Sequence, residues 1–225
     1  MSSKPKALVS WSSGKDSAWS LHQVQTTGDL EVVGLLTTVT ETFNRVAMHG
    51  VRRDLLQEQA LCCDLPLREV HLPWPCSNAD YEQRFSDALH DAISDGVEVI
   101  VFGDLFLEDI RNYREKQLKA VGLKGHYPLW GRDTHELARE MVAGGLRARL
   151  SCVDLKKLEA NFAGRVFDNA FLRELPSLTD PCGENGEFHT FVYAAPCFSR
   201  TIDCRVGERV EREGFCFADI LSPDP

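Results

Sequence analysis

The sequence predicts an α/β protein: a parallel sheet with helices on both faces, followed by a smaller α+β unit. Three observations predict it. Over the first 125 residues, short apolar or β-branched runs alternate with helix-period segments in the order β-α-β-α-β-α-β-α. Beyond that point the alternation stops and turn-rich, strand-like stretches take over. The chain of 225 residues is long enough for one large domain or two small ones. A soft boundary near residue 125 gives segments 1–125 and 126–225.

The elements follow in order. Lys6-Ala-Leu-Val-Ser-Trp11 is a short apolar strand pattern that stops at a Ser/Gly cluster. Asp16 to Val24 reads as a helix, with Ala18, Leu21 and Val24 sharing a face. Glu31 to Val39 is β-branched and apolar, the pattern of a strand buried on both faces. Val51 to Cys63 is a second helix whose stripe is Leu55, Leu56, Gln59 and Cys62, and Leu67 to Leu72 a third strand. Asn78 to Asp95 repeats Tyr81, Phe85, Leu89 and Ile93 at four-residue intervals, a helix signal. Val97 to Phe102 is a fourth strand closed by Gly103-Asp104, and Glu108 to Val121 a charged amphipathic helix. In the second segment, Asp133 or Thr134 can cap a helix through Val142. Leu146 to Val153, Phe188 to Ala194 and the stretch Thr201 to Ala218 read as strands.

Composition narrows the function classes. The chain carries 25 Lys and Arg against 34 Asp and Glu, a net charge of -9. General nucleic-acid binding is disfavoured, because a net-negative surface is repelled by a phosphate polymer unless its cations cluster. No run approaches the roughly 20 apolar residues of a bilayer span, and the N-terminal residues show no signal-peptide pattern. The eight cysteines form no C-x-x-C pair, which argues against a zinc ribbon and fits reduced cytoplasmic thiols.

The sharpest motif is Ser10-Trp11-Ser12-Ser13-Gly14-Lys15-Asp16-Ser17, between the first strand and the first helix. Small residues there let the backbone wrap an anion at a helix N-terminus. Ser12, Ser13 and Ser17 offer hydroxyl donors and Lys15 a positive charge. Asp16 would repel phosphate directly, and a Mg²⁺ held between Asp16 and the phosphates resolves that conflict. The loop is not a Walker A motif: Val9 stands where Gly is needed and Asp16 where Ser or Thr is needed.

The second outlier is Asp180-Pro-Cys-Gly-Glu-Asn-Gly-Glu-Phe-His-Thr-Phe191. Gly183, Asn185 and Gly186 accept positive φ, so a tight turn can aim Glu184 and Glu187 at one point, with His189 on the incoming strand. Two carboxylates and an imidazole can orient ammonia, accept its proton or bind Mg²⁺. The ordinary alternative is a polar turn entering a hairpin.

Ser12-Ser-Gly-Lys-Asp-Ser17 resembles the PP-loop of the adenine nucleotide alpha-hydrolase superfamily, usually written S-G-G-K-D-S. The resemblance implies a Rossmann-like (PP-loop/HUP-type) sheet and cleavage of ATP to AMP and pyrophosphate. Ser12, Gly14, Lys15, Asp16 and Ser17 would hold the pyrophosphate, and Ser13 replaces a Gly, a change expected to require negative φ. Gly183-Glu-Asn-Gly-Glu-Phe-His-Thr190 is similar to the E-G-G-E-F-x-T segment of the diphthine–ammonia ligase family. Met48-His49-Gly50, Phe102-Gly-Asp104 and Pro128-Leu-Trp130 match the same family in order, so the resemblance covers nearly the whole chain. It implies an ATP-binding first segment and a substrate-binding second one. The implied reaction adenylates the carboxylate of diphthine on elongation factor 2, and ammonia then displaces AMP. Asn185 replaces a family Gly, and His189 replaces an acidic residue often found before the Thr.

Smaller signals complete the candidate site. His49 sits in a loop of the kind that faces the ligand, and Gly103-Asp104 places a carboxylate at a strand end, within reach of ribose or Mg²⁺ or as a helix cap. Arg111 and Arg114, among Glu108, Asp109 and Glu115, read as a solvated face with a possible use in binding an anion. Catalytic candidates are Lys15, Glu184, Glu187 and His189, with acid and base unassigned. Nucleotide contacts fall to Ser12, Ser13, Gly14, Lys15, Asp16, Ser17, His49, Gly103 and Asp104, with Asp16 as metal ligand. Rival readings are the same adenylation on tRNA or a small carboxylate, or a nucleotide sensor without turnover. Oligomeric state is open.

Overall fold

Strand β1 (Lys6–Ser10) buries Ala7, Leu8 and Val9 completely, as a central parallel strand must. A computed structural model describes residues 3–47 and 49–223. Met48, part of the Met48-His49-Gly50 match, lies outside the described residues. The first segment continues with α1 (Lys15–Thr27), β2 (Glu31–Thr40), β3 (Arg45–Val46), α2 (Arg53–Cys63) and β4 (Leu67–Leu72). It ends with α3 (Asn78–Ser94), β5 (Val97–Val101), α4 (Glu108–Val121) and β6 (Lys124–His126).

Central β1 pairs in parallel with β2 on one side and β5 on the other. β4 and β6 extend the sheet beyond β2 and β5, also in parallel. Short β3 pairs antiparallel with the last two residues of β2. Strand order therefore reverses at β1 and β5, so the crevice at their carboxyl ends is the place where an α/β sheet receives a ligand. Alternation along β1 feeds two cores. Ala7 and Val9 join one cluster, while Leu8 packs with Leu36, Leu89 and Ile100 on the opposite face. α3, whose four-residue stripe was legible, starts at a capping box: Ser77 Oγ accepts from the Asp80 N–H at 3.1 Å.

After β6 come α5 (Thr134–Ala143), β7 (Arg147–Asp154), α6 (Asn169–Glu174), β8 (Phe188–Ala194), β9 (Arg205–Arg212) and β10 (Phe215–Leu221). Asp133 supplies the α5 cap, accepting from the Glu136 N–H at 2.9 Å. The four strands form an antiparallel sheet in the order β8-β7-β10-β9. The stretch read as strand from Thr201 to Ala218 divides at Glu213-Gly214, both at positive φ, into the β9–β10 hairpin.

Both sheets share one hydrophobic cluster that runs from Ala7 to Ile220. Polar contacts reinforce the junction: Arg45 and Arg52 both donate to Asp219, at 2.9 and 2.6 Å. The consequence for function is that β8 lies directly against the start of α1.

Candidate active site

The loop Ser10–Ser17 follows β1 and α1 begins inside it, with Gly14 as N-cap. Ser12 and Ser17 brace it, their hydroxyls 3.3 Å apart, and the Ser17 hydroxyl donates to the Gly14 carbonyl at 2.9 Å. A Cβ on Gly14 would stand 3.0 Å from His49 Cε1 and 3.4 Å from the Thr190 carbonyl, so the loop is closely covered. Gly103 after β5 packs so tightly on Asp16 that a Cβ there would lie 2.8 Å from its carbonyl carbon. The two strand ends therefore meet at the reversal point through Asp16 and Gly103.

Ser13 corrects one expectation. Its φ is +69°, the left-handed region, rather than negative, and the residue is fully buried. The glycine usual at this position is explained by that conformation. Ser13 holds it because its carbonyl is fixed from two sides, accepting from the Val192 N–H and from Gln59 Nε2, each at 3.0 Å. Its buried hydroxyl has no hydrogen-bond partner among the described residues. That orphaned donor, beside a helix N-terminus and an ammonium, fits an oxyanion.

Lys15 is buried, with only 2% of its surface exposed. Its ammonium donates to both Asp16 carboxylate oxygens, at 2.7 and 3.0 Å, and to the Cys182 carbonyl. The rings of Phe188 and Phe167 lie 5.5 and 5.9 Å from it. Burial alone would depress its pKa, but Asp16 outweighs that and raises it, so the charge persists. The Lys15 backbone N–H donates to Thr190 Oγ1 at 3.0 Å.

The 180–190 turn thus reaches the Ser10–Ser17 loop through Cys182 and Thr190. Asp180 shapes the turn, accepting from the Glu184 N–H at 2.8 Å and the Cys182 N–H at 3.3 Å. Glu184 crosses to the loop after β5, accepting from Leu105 N–H at 2.7 Å and Phe106 N–H at 3.4 Å. Burial raises its pKa to about 7, with the Leu105 N–H opposing and the Asp16 carboxylate adding to the rise. It is a carboxyl poised to exchange a proton near neutrality.

Glu187 does not join it. Its carboxylate is buried and turned back into its own turn, accepting from the Asp180 N–H at 3.3 Å and Asn185 Nδ2 at 3.2 Å. The two glutamates therefore serve different partners rather than one point. Asp104 is engaged by Arg114, whose Nε lies 2.9 Å from its carboxylate.

His189 and His49 do come together, with ring centroids 4.5 Å apart at 38°. Burial lowers both pKa values, with His189 pushed to about 4 and the Lys15 charge adding to each shift. Both imidazoles are neutral at pH 7 and able to accept a proton or a hydrogen bond.

Three contributors escaped the sequence reading. Thr190 lies inside the second motif, but a hydroxyl next to two carboxylates and an imidazole carries no signal of its own there. Gln59 binds Trp11 Nε1 as well as Ser13 and Val192, and its only signal was an amide within the apolar stripe of α2. Cys182 acts through its backbone, which no side-chain motif reports. Trp11 itself is buried packing. Among the described residues, no group of three or more His, Cys, Asp or Glu side chains could hold a metal ion.

Comparison with known proteins adds an independent observation. Residues 5–125 match the model described as diphthamide synthase N-terminal domain, and residues 133–221 the one described as diphthamide synthase C-terminal domain. The chain is 28% identical to the diphthine–ammonia ligase of Schizosaccharomyces pombe over 231 aligned positions, which cover 92% of this chain and 37% of that protein. It is 29% identical to the diphthine–ammonia ligase of Homo sapiens over 129 positions, covering 55% of this chain and 48% of the relative. The matched region spans less than half the length of each of these relatives.

Proposed function

Because the chain belongs to the diphthamide synthase family, we propose that it is an ATP-dependent ligase that converts a carboxylate to an amide with ammonia. The acceptor in this reading is diphthine on elongation factor 2, in keeping with the names of the relatives as diphthine–ammonia ligases. The observation that carries the proposal is the docking of the 180–190 turn onto the phosphate loop. Lys15 binds the Cys182 carbonyl with its ammonium and Thr190 with its backbone, so the loop and the second signature form one site.

In this site residues 1–125 carry the ATP-binding part and residues 126–225 are the main acceptor-binding segment. Ser12, Ser13, Ser17 and the α1 N-terminus cradle the pyrophosphate portion, and Lys15 offsets the charge that builds on it. Mg²⁺ supplies further charge neutralisation when bound. Asp16 would be its protein ligand. The acceptor carboxylate attacks the α-phosphorus and pyrophosphate leaves; ammonia then attacks the activated acyl group and AMP leaves. Glu184, with its pKa near 7, is the favoured acceptor of the ammonia proton, and neutral His189 and His49 orient the nucleophile. Glu187 keeps the turn in shape. Eight free cysteines support a reducing, cytoplasmic setting.

The test is AMP release from Mg-ATP with ammonium and diphthine-bearing elongation factor 2. Lys15→Met should lower it at least a hundredfold while the protein stays folded. AMP release at the wild-type rate in that variant would overturn the proposal.

A further inference from the structure

Arg111 and Arg114 lie one turn apart on α4 and have opposite surroundings. Arg114 is neutralised by Asp104 at 2.9 Å and stacks over Phe102 at 4.5 Å. Arg111 stands 4.7 Å from the Tyr127 ring centroid and 4.6 Å from that of Trp130. Among the described residues it has no ion pair, and its guanidinium donates no hydrogen bond. Two aromatic rings thus hold a charged, planar fork in place while its N–H donors stay available.

Its position is that of a ligand-binding group. Tyr127 and Trp130 belong to the loop that follows β6, and Arg111 lies in the first turn of α4, after the loop that follows β5. That same loop supplies Leu105 N–H to Glu184 and Gly103 to Asp16. The Arg111 fork is therefore at the carboxyl edge of the sheet, on the proposed catalytic side. β6 is two strands from β1, so it lies about 10 Å from the phosphate loop at the usual strand spacing. The nucleotide phosphates already have Lys15 and the α1 N-terminus. A second anion site at that remove suits the other anionic reactant.

We propose that Arg111, held between Tyr127 and Trp130, binds the carboxylate of the acceptor and so determines that an acid, rather than its amide product, occupies the site. The inference rests on the ligase reading above and adds a specificity-determining residue to it. Arg suits this role better than Lys, because a planar fork takes both carboxylate oxygens at once and packs flat on the rings.

The experiment is equilibrium binding, without nucleotide, of elongation factor 2 carrying either diphthine or its amide. Wild type, Arg111→Gln and Arg111→Lys are compared, and Mg-ATP binding is measured in parallel on each. Wild type should favour the acid by about tenfold or more, the worth of a charge-assisted bidentate contact. Arg111→Gln should bind both forms alike, Arg111→Lys should keep part of the preference, and Mg-ATP affinity should stay within about twofold. Equal binding of acid and amide by wild type, or a preference that survives in Arg111→Gln, overturns the proposal. So does a loss confined to Mg-ATP affinity, which assigns Arg111 to the nucleotide phosphates. Wild type that binds neither form of the acceptor removes the ligase reading itself, and this inference with it.

Discussion

Thr190 Oγ1 lies 3.0 Å from the backbone nitrogen of Lys15, across 175 positions of sequence. The first N–H groups of a helix have no intrahelical acceptor, and here a hydroxyl from the antiparallel sheet supplies one. The Ser10–Ser17 loop is therefore shaped by the second half of the chain as well as by its own residues.

Thr190→Val keeps shape and β-branching but removes that acceptor. Leaving a buried N–H unpaired should cost about 1–2 kcal/mol in urea unfolding. Unchanged stability would mean that the contact contributes nothing.

Ser13→Gly should raise stability by up to about 1 kcal/mol, since it relieves a left-handed serine and removes an unpaired buried hydroxyl. Mg-ATP should bind several-fold more weakly, because a donor is lost. A less stable Ser13→Gly would contradict the account of the loop, and so would unchanged nucleotide affinity.

Gln59→Leu removes one acceptor and one two-way donor from three buried bonds. The expected loss is about 3 kcal/mol, together with weaker Mg-ATP binding, because the Ser13 carbonyl loses one of its two anchors. Calorimetric unfolding that moved by less than one degree would refute a structural role.

Much of this was legible in the sequence, for identifiable reasons. β1, β2 and β5 announce themselves as mainly apolar or β-branched runs because they are largely buried. α3 does so because its stripe repeats over 17 residues. β6 and β3 have only three and two residues, too few for any period, and α6 has six. β9 is an edge strand, mostly exposed and rich in charge, so its boundary with β10 shows only in Glu213-Gly214. Within the site, residue types were visible and pairings were not. Nothing local says that Asp104 turns to Arg114 ten positions on, or that Glu184 and Glu187 part company three positions apart. Those choices are made by neighbours that only the fold brings close.

Proton linkage gives a further test. The Glu184 carboxyl has its folded pKa raised to about 7 from 4.5, so the folded state binds the extra proton between those values. Stability should therefore fall as pH rises from about 4.5 to 7, and Glu184→Gln should flatten that stretch. His189 has its pKa lowered from 6.5 to about 4, so its contribution has the opposite sign. It costs stability as pH falls from 6.5 toward 4, and His189→Gln should reduce the loss on the acid side. If Glu184 takes the ammonia proton, amide formation should rise with an apparent pKa near 7 that Glu184→Gln abolishes. A profile that kept this inflection in Glu184→Gln would assign the proton to another group.

The central claim, that one site built from loop and turn joins ammonia to an acceptor carboxylate, is tested most directly by intact mass. Diphthine-bearing elongation factor 2 is incubated with the protein, Mg-ATP and ammonium, and AMP is followed in the same tube. The account predicts conversion of acid to amide with one AMP formed for each acceptor modified. An unchanged acceptor mass, with or without AMP release, would contradict it.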